Sequence, residues 1–128
     1  MARARASIGR TNYATAITAG RHRLEADEGP ELGGQDSGPA PYDLLVAALG
    51  ACTVITLRMY AERKQWPVEA VHADVHFVRE GDDQRIDRHL RIEGTVDAEQ
   101  RKRMAEIAER TPVTLSLKRG LEIRTTLD

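Results

Sequence analysis

The chain has 128 residues, of which 19 are Lys or Arg and 20 are Asp or Glu, so its formal net charge is -1. This balance gives no reason to expect a nucleic-acid or anionic-membrane partner through bulk charge. The length predicts one domain over 1–128. The single cysteine, Cys52, excludes an intrachain disulfide and a multi-cysteine zinc site.

The N-terminal half begins with the basic run MARARASIGR, which no apolar stretch follows. We therefore expect no secretory signal and a cytoplasmic location. Strands are predicted over about 6–27, with a turn at Ala19-Gly20. The Gly- and Pro-rich segment 27–41 then predicts a loop that is long enough to act as a lid.

The clearest element is a helix predicted over about 42–65, with Pro41 and Asp43 suited to its first turn. Its longest uncharged run, Leu44–Leu57, is shorter than the ~20 residues of a membrane span, so no membrane partner is expected. An apolar stripe follows helical spacing: Leu45, Ala48, Leu49, Cys52, Ile55, Thr56 and Met59. A helix that is apolar nearly all round must be covered on every side, which predicts a homodimer with this helix at its centre.

A hairpin is predicted over about 68–96, joined by a four-residue loop, Gly81–Gln84. That loop would place Val75 opposite Leu90, Asp74 opposite Arg91 and His76 opposite His89.

The C-terminal part predicts helices over about 98–119 and a last strand over 121–127. Asp97 and Gln100 form a capping-box pattern, and Thr111-Pro112 is typical of a second helix start. Strands joined by hairpins imply antiparallel sheets, so the predicted fold class is α+β.

Cys52 has two interpretations. On an apolar stripe it is typical of a buried, inert thiol, because free cysteine is among the most buried residue types. A reactive Cys52 needs a stabilised thiolate, and therefore a cation brought by another segment, for which Arg21 and Arg23 are the candidates. His22 could orient Arg21.

The other histidines offer a metal-binding alternative, through His72, His76 and His89 on one sheet face. No carboxylate or thiol completes a closed set of four ligands there, so we expect neither a metal nor another cofactor.

Two long runs, LGGQDSGPAPYDLLVAALGACTVITLRMYAERKQWP and EQRKRMAEIAERTPVTLSLKRGLEI, resemble the OsmC/Ohr family of organic hydroperoxide reductases. The resemblance extends from about Thr18 to Leu127. It implies an intertwined α+β homodimer with antiparallel sheets packed on long central helices. It also implies that Cys52 is the peroxidatic thiol and that Arg21 stabilises the thiolate and holds the peroxide.

The sequence departs from the family pattern at two positions. Thr111 stands where the family's second, resolving cysteine is expected, so a two-cysteine cycle within one chain is impossible. Tyr42 stands where the active reductases have a glutamate, with Asp43 next to it.

The sequence therefore favours a one-cysteine enzyme of the antioxidant stress response that reduces organic hydroperoxides and is itself reduced by an external thiol. Apolar side chains near Cys52 would favour alkyl substrates. The expected substrate-binding residues are Tyr42, Asp43, Leu45, Leu49, Ile55 and Met59. The alternative is a non-catalytic dimer that binds a small apolar ligand or a protein partner, with Cys52 as part of its core.

Overall fold

A computed structural model describes all 128 residues, Met1–Asp128. It contains two antiparallel sheets and three helices, so the predicted α+β class is confirmed. The chain divides into two compact units, Met1–Leu45 and Val46–Asp128. The helix Pro41–Lys64, α1, begins in the first unit and continues through the second.

The first unit contains a three-stranded antiparallel sheet of β1 (Ala4–Ser7), β2 (Thr15–Ala19) and β3 (His22–Ala26), in the order β1-β2-β3. β2 and β3 form a hairpin in which Ile17 lies opposite Leu24. Gly20 adopts a φ of 62° in the turn, which glycine accommodates without steric cost.

The segment that follows β3 folds back on the first unit around one buried carboxylate. Asp27 is 2% exposed and accepts hydrogen bonds from the backbone N–H groups of Tyr13, Glu28, Gln35 and Ser37 and from the Ser37 hydroxyl. Burial raises the pKa of Asp27, but the hydrogen bonds from the Ser37 hydroxyl and from the N–H groups of Glu28, Ser37 and Tyr13 lower that pKa well below its ordinary range.

Two glycines let this segment lie close to the preceding backbone. A Cβ atom at Gly34 would collide with the carbonyl oxygen of Glu28, and one at Gly38 with that of Glu25. The Gly-rich composition, which predicted a loop, therefore also reflects close packing around Asp27.

The second unit is built on a long hairpin, β4 (Val68–Glu80) and β5 (Asp83–Gly94), with α2 (Ala98–Ala108) and α3 (Pro112–Arg119) following it. Its core combines the C-terminal half of α1, the hairpin and α2. The fully or almost fully buried members are Leu57, Ala61, Val68, Met104 and Ala108. The predicted capping box is confirmed, since Asp97 accepts from the Gln100 N–H and Gln100 accepts from the Asp97 N–H.

The predicted hairpin register is wrong by two residues. The strands are joined by a two-residue turn, Gly81-Asp82, so Val75 lies opposite Arg88, Asp74 opposite His89 and His76 opposite Asp87. Gly81 has a φ of 62°, the positive value required at the first position of a tight type II′ turn. Because the slip is by an even number, every side chain keeps its predicted face.

α1 buries a different stripe from the one predicted. Leu49, Thr53, Leu57, Tyr60 and Ala61 are buried, whereas Ile55 and Met59 are 52% and 61% exposed. Periodicity cannot select one face of a helix that is apolar nearly all round. By length and composition α1 could also cross a membrane, a property that central helices of soluble proteins share.

The predicted strand 121–127 does not form. Residues 120–128 have no regular structure, and Leu121, Ile123 and Leu127 are 73%, 86% and 96% exposed. Their alternation is typical of a strand, but a strand needs a neighbour to satisfy its backbone hydrogen bonds, and none pairs with this segment within the chain.

The Asp27→Asn variant tests the role of the buried carboxylate. Because the pKa of Asp27 is lower in the folded protein than its value of about 3.9 in an unfolded chain, its stabilisation is present at neutral pH and is lost as pH falls below that value. We expect Asp27→Asn to lower the urea midpoint at pH 7, and the difference from wild type to shrink below about pH 4. Asp36→Asn, in the same loop but exposed, is the matched control. A pH-independent difference would contradict this role.

Candidate functional site

The half-buried thiol of Cys52 lies at the N-terminus of α3. The backbone N–H of Val113 points at the Cys52 sulfur, with a nitrogen-to-sulfur distance of 3.5 Å, and the Thr56 hydroxyl lies 4.0 Å from the same sulfur. Thr111 is the N-cap of α3 and Pro112 its first residue, as predicted, so Val113 is in the first turn. Hydrogen bonds to an ionised acceptor are roughly twice as strong as neutral ones, and helix N-termini favour negative charge. The first turn of α3 therefore places a backbone hydrogen-bond donor on the only thiol of the chain.

Beside this contact lies a nearly buried arginine, Arg88, whose side chain is 11% exposed. Its Nη1 donates to the hydroxyls of Thr53 and Thr114 at 3.0 and 2.9 Å. Its Nη2 donates to the Ala108 carbonyl oxygen at 2.9 Å and to Glu109 Oε2 at 3.2 Å. One guanidinium therefore joins α1, the end of α2 and α3.

The charge of Arg88 is balanced by Glu109, which also accepts from the Lys118 ammonium at 2.8 Å. The hydrogen bond from Lys118 lowers the pKa of Glu109 most, burial opposes it, and the positive charges of Lys118 and Arg88 lower that pKa further. Glu109 is thus held ionised next to a cation that has little access to water.

Thr111, at the position of the expected second cysteine, belongs to the same network. It is fully buried, and its hydroxyl lies 2.6 Å from that of Thr114, which also donates to the Ala108 carbonyl oxygen. No buried side-chain nitrogen or oxygen in the structure lacks a hydrogen-bond partner. The hydroxyls of Thr53, Thr111 and Thr114 therefore all have hydrogen-bond partners within this network.

The other predicted site residues lie on the β2–β3 hairpin and along α1. Arg21 is exposed in the turn between β2 and β3, in the first unit, as is Arg23 on β3. Tyr42 and Asp43 are exposed in the first turn of α1, where Asp43 accepts from the Ala40 N–H at 3.0 Å. Leu45 is half-buried and Leu49 is buried. The roles assigned to these residues stay predictions.

The three histidines do not form a metal site. His72 pairs with Glu93, whereas His76 and His89 lie opposite Asp87 and Asp74 on the neighbouring strands. No group of three or more His, Cys, Asp or Glu side chains is arranged to hold a metal ion. The predicted pair of Asp74 and Arg91 does not form. Arg91 Nη1 instead lies 3.7 Å from Glu93 Oε2.

A cleft of about 740 Å³ in the second unit is lined by Arg88 and not by Cys52. Leu49, Phe77, Ile86 and Leu117 are its apolar lining residues. Its polar lining residues are Gln84, Arg85, Asp87, Arg88, Glu109, Thr114 and Lys118. Sequence reasoning missed Arg88, although one signal marked it: Arg88 lies between Ile86 and Leu90 on the face of β5 predicted to be buried.

A family model described as OsmC-like protein matches residues 34–126. An OsmC-like protein from Mycoplasma pneumoniae aligns with a TM-score of 0.79 at 17% identity, covering 92% of this chain and 87% of that one. An organic hydroperoxide resistance protein from Elizabethkingia anophelis, with thiocyanate bound, aligns at 0.71 and 20% identity, covering 92% and 88%. OhrB of Bacillus subtilis, an organic hydroperoxide resistance protein, aligns at 0.62 and 21%, covering 92% and 90%. No curated protein matches the sequence.

The family model and the solved structures differ in how much they show. The match to the family model extends over most of the chain and identifies the family. The solved structures share too little sequence to show more than the fold, which they share along nearly the whole chain.

Arg88→Met should lower the free energy of unfolding by about 2 kcal/mol, because the hydrogen bonds from one nearly buried guanidinium to three helices are lost. The measurement is urea unfolding at pH 7. Arg91→Met, on the same strand but exposed, should change the free energy of unfolding by less than about 1 kcal/mol. Equal effects of the two substitutions would contradict a structural role for the Arg88 network.

Proposed function

Because this chain belongs to the OsmC-like protein family, we propose that it reduces organic hydroperoxides and that Cys52 is the attacking thiol. The observation that carries the proposal is the contact between the Cys52 sulfur and the Val113 N–H at the start of α3. Several solved proteins with this fold are named organic hydroperoxide resistance proteins, which supports the same chemistry.

In the proposed first step the Cys52 thiolate attacks the terminal oxygen of a hydroperoxide ROOH. A sulfur–oxygen bond forms as the O–O bond breaks, and the alkoxide leaves and takes up a proton to become the alcohol. The sulfur is oxidised to a sulfenic acid.

In the proposed second step an external thiol regenerates Cys52, because the chain contains no other cysteine and has Thr111 at the expected resolving position. The external thiol attacks the sulfenic acid, water leaves and a mixed disulfide forms. A second thiol then releases Cys52 and carries the disulfide away. The reductant is thus a small thiol or dithiol in the compartment, which we take to be the cytoplasm.

Arg21 is proposed to stabilise the thiolate and hold the peroxide. The proposed substrate-binding residues are Tyr42, Asp43, Leu45, Leu49, Ile55 and Met59. Their mainly apolar character favours an alkyl group over hydrogen peroxide.

The alternative is a non-catalytic protein that binds a small apolar ligand. The cleft of about 740 Å³ offers a place for such a ligand, because four apolar side chains line it beside the seven polar ones, and Cys52 is not among its lining residues. Reaction of native Cys52 with iodoacetamide separates the two functions. A thiol that reacts only after unfolding would support the binding protein.

For the enzyme, we expect wild-type protein to consume cumene hydroperoxide with dithiothreitol as reductant, and to form a dimedone adduct at Cys52 when the reductant is omitted. Cys52→Ser should abolish both. Arg21→Ala should slow adduct formation about 100-fold, the size of effect seen when one group that stabilises developing charge is lost. Arg5→Ala, an exposed arginine of the same sheet, is the control. Absence of the adduct in wild type would end the enzyme proposal, and equal rates in Arg21→Ala and Arg5→Ala would end the role of Arg21.

We also propose that the functional unit is a homodimer. The outward face of α1 carries Ala48, Ala51, Ile55 and Met59, all exposed, and the apolar C-terminal residues are exposed as well. Exposed apolar side chains at helical spacing on one face of α1 are typical of an interaction site.

Sedimentation at micromolar concentration should therefore give twice the chain mass of 14.2 kDa. Ala51→Glu should give the monomer mass, because it places a charge within the outward face of α1. Ala105→Glu, at an exposed position of α2, should remain dimeric. A wild-type protein that sediments as a monomer is the result that would refute the dimer.

A further inference from the structure

The position of Arg88 relative to the sulfur contact suggests a role beyond stability. Its Nη1 donates to Thr53, the residue after Cys52, and to Thr114, the residue after Val113. The same nitrogen therefore joins the two chain segments whose sulfur and N–H meet at 3.5 Å. Two hydrogen bonds from one rigid, planar group therefore connect α1 and α3 next to the sulfur.

The remaining bonds of Arg88 fix the guanidinium itself. Nη2 is held by the Ala108 carbonyl oxygen and by Glu109, so the group is anchored to the end of α2 and the plane of the fork cannot rotate freely. The Thr53 hydroxyl is oriented in turn, because it donates to the Leu49 carbonyl oxygen at 2.7 Å and so presents a lone pair to Arg88. The Thr114 hydroxyl is constrained by Thr111 and by the Ala108 carbonyl oxygen.

We propose that Arg88 is a positioning residue for Cys52: by bridging Thr53 and Thr114 it holds the Val113 N–H on the sulfur. The residue acts through these hydroxyls and takes no part in the bond changes. A long hydrogen bond to sulfur is sensitive to small displacements of its donor, so loss of the bridge removes the interaction before it unfolds the protein. The expected effect of Arg88 on the reaction rate rests on the proposed hydroperoxide chemistry. Its role in holding the Val113 N–H on the sulfur does not depend on that chemistry.

The experiment follows the Val113 amide by NMR, because an N–H that donates a hydrogen bond has its proton shifted downfield. Cys52→Ala first calibrates the signal by removing the acceptor. Arg88→Met and Thr53→Val should then move the Val113 amide proton toward its position in Cys52→Ala. Thr53→Ser, which keeps the hydroxyl, and Arg91→Met, on the same strand, should leave it near its wild-type position.

The rate of Cys52 sulfenic acid formation with cumene hydroperoxide is the second readout. It should fall about tenfold in Arg88→Met and Thr53→Val, the loss expected for one hydrogen bond to a charged atom. Thr53→Ser should restore most of the rate. Unchanged Val113 shifts in folded Arg88→Met and Thr53→Val would overturn the positioning role. A wild-type protein that does not react with the hydroperoxide, but whose Val113 shift responds as expected, would overturn the proposed function and leave the positioning role standing.

Discussion

The second unit depends on burying one positive charge without leaving it unpaired. A nearly buried guanidinium loses much of its hydration, and this cost is offset only when its donors meet well-placed acceptors. Arg88 meets that condition with two hydroxyls, a carbonyl oxygen and a carboxylate that come from three different helices. Each acceptor can bond to the guanidinium only while its helix keeps its position. The network therefore requires a fixed arrangement of the helices, whereas the apolar core around Leu57 and Met104 requires only that apolar surface be covered.

Sequence reasoning succeeded where local chemistry decides the structure. The capping box of Asp97 and Gln100 and the helix start at Thr111-Pro112 depend on a few adjacent residues, so they could be predicted. The hairpin kept its predicted faces because the alternation of apolar residues along each strand fixes them, and the register slip was by an even number. Its register depended on the turn length, and the tight turn that Gly81 permits was not distinguishable from a longer one by apolar alternation alone.

The site could be predicted only in part, because it is assembled from distant segments. Cys52 was marked by its type and Thr111 by a resemblance, but neither observation places the start of α3 against the sulfur. Arg88 interrupts an apolar strand face, and that was a usable signal for a buried charge. No sequence signal identified the acceptors of Arg88, because Thr53 and Thr114 become neighbours only when α1 and α3 pack on the hairpin.

Thr111 is joined to the helix network through its hydroxyl. A thiol there would be a weak hydrogen-bond donor, whereas the hydroxyl makes a short contact with Thr114 and so belongs to the network around Arg88. The hydroxyl at this position therefore makes a short contact that a thiol would not reproduce.

The C-terminal segment is open to contacts with other molecules. Residues 120–128 combine exposed leucine and isoleucine side chains with a backbone that no strand pairs with. Segments of this kind are preferred sites for proteolytic cleavage and for unintended strand pairing. The C-terminal segment is therefore open both to cleavage and to pairing with another strand.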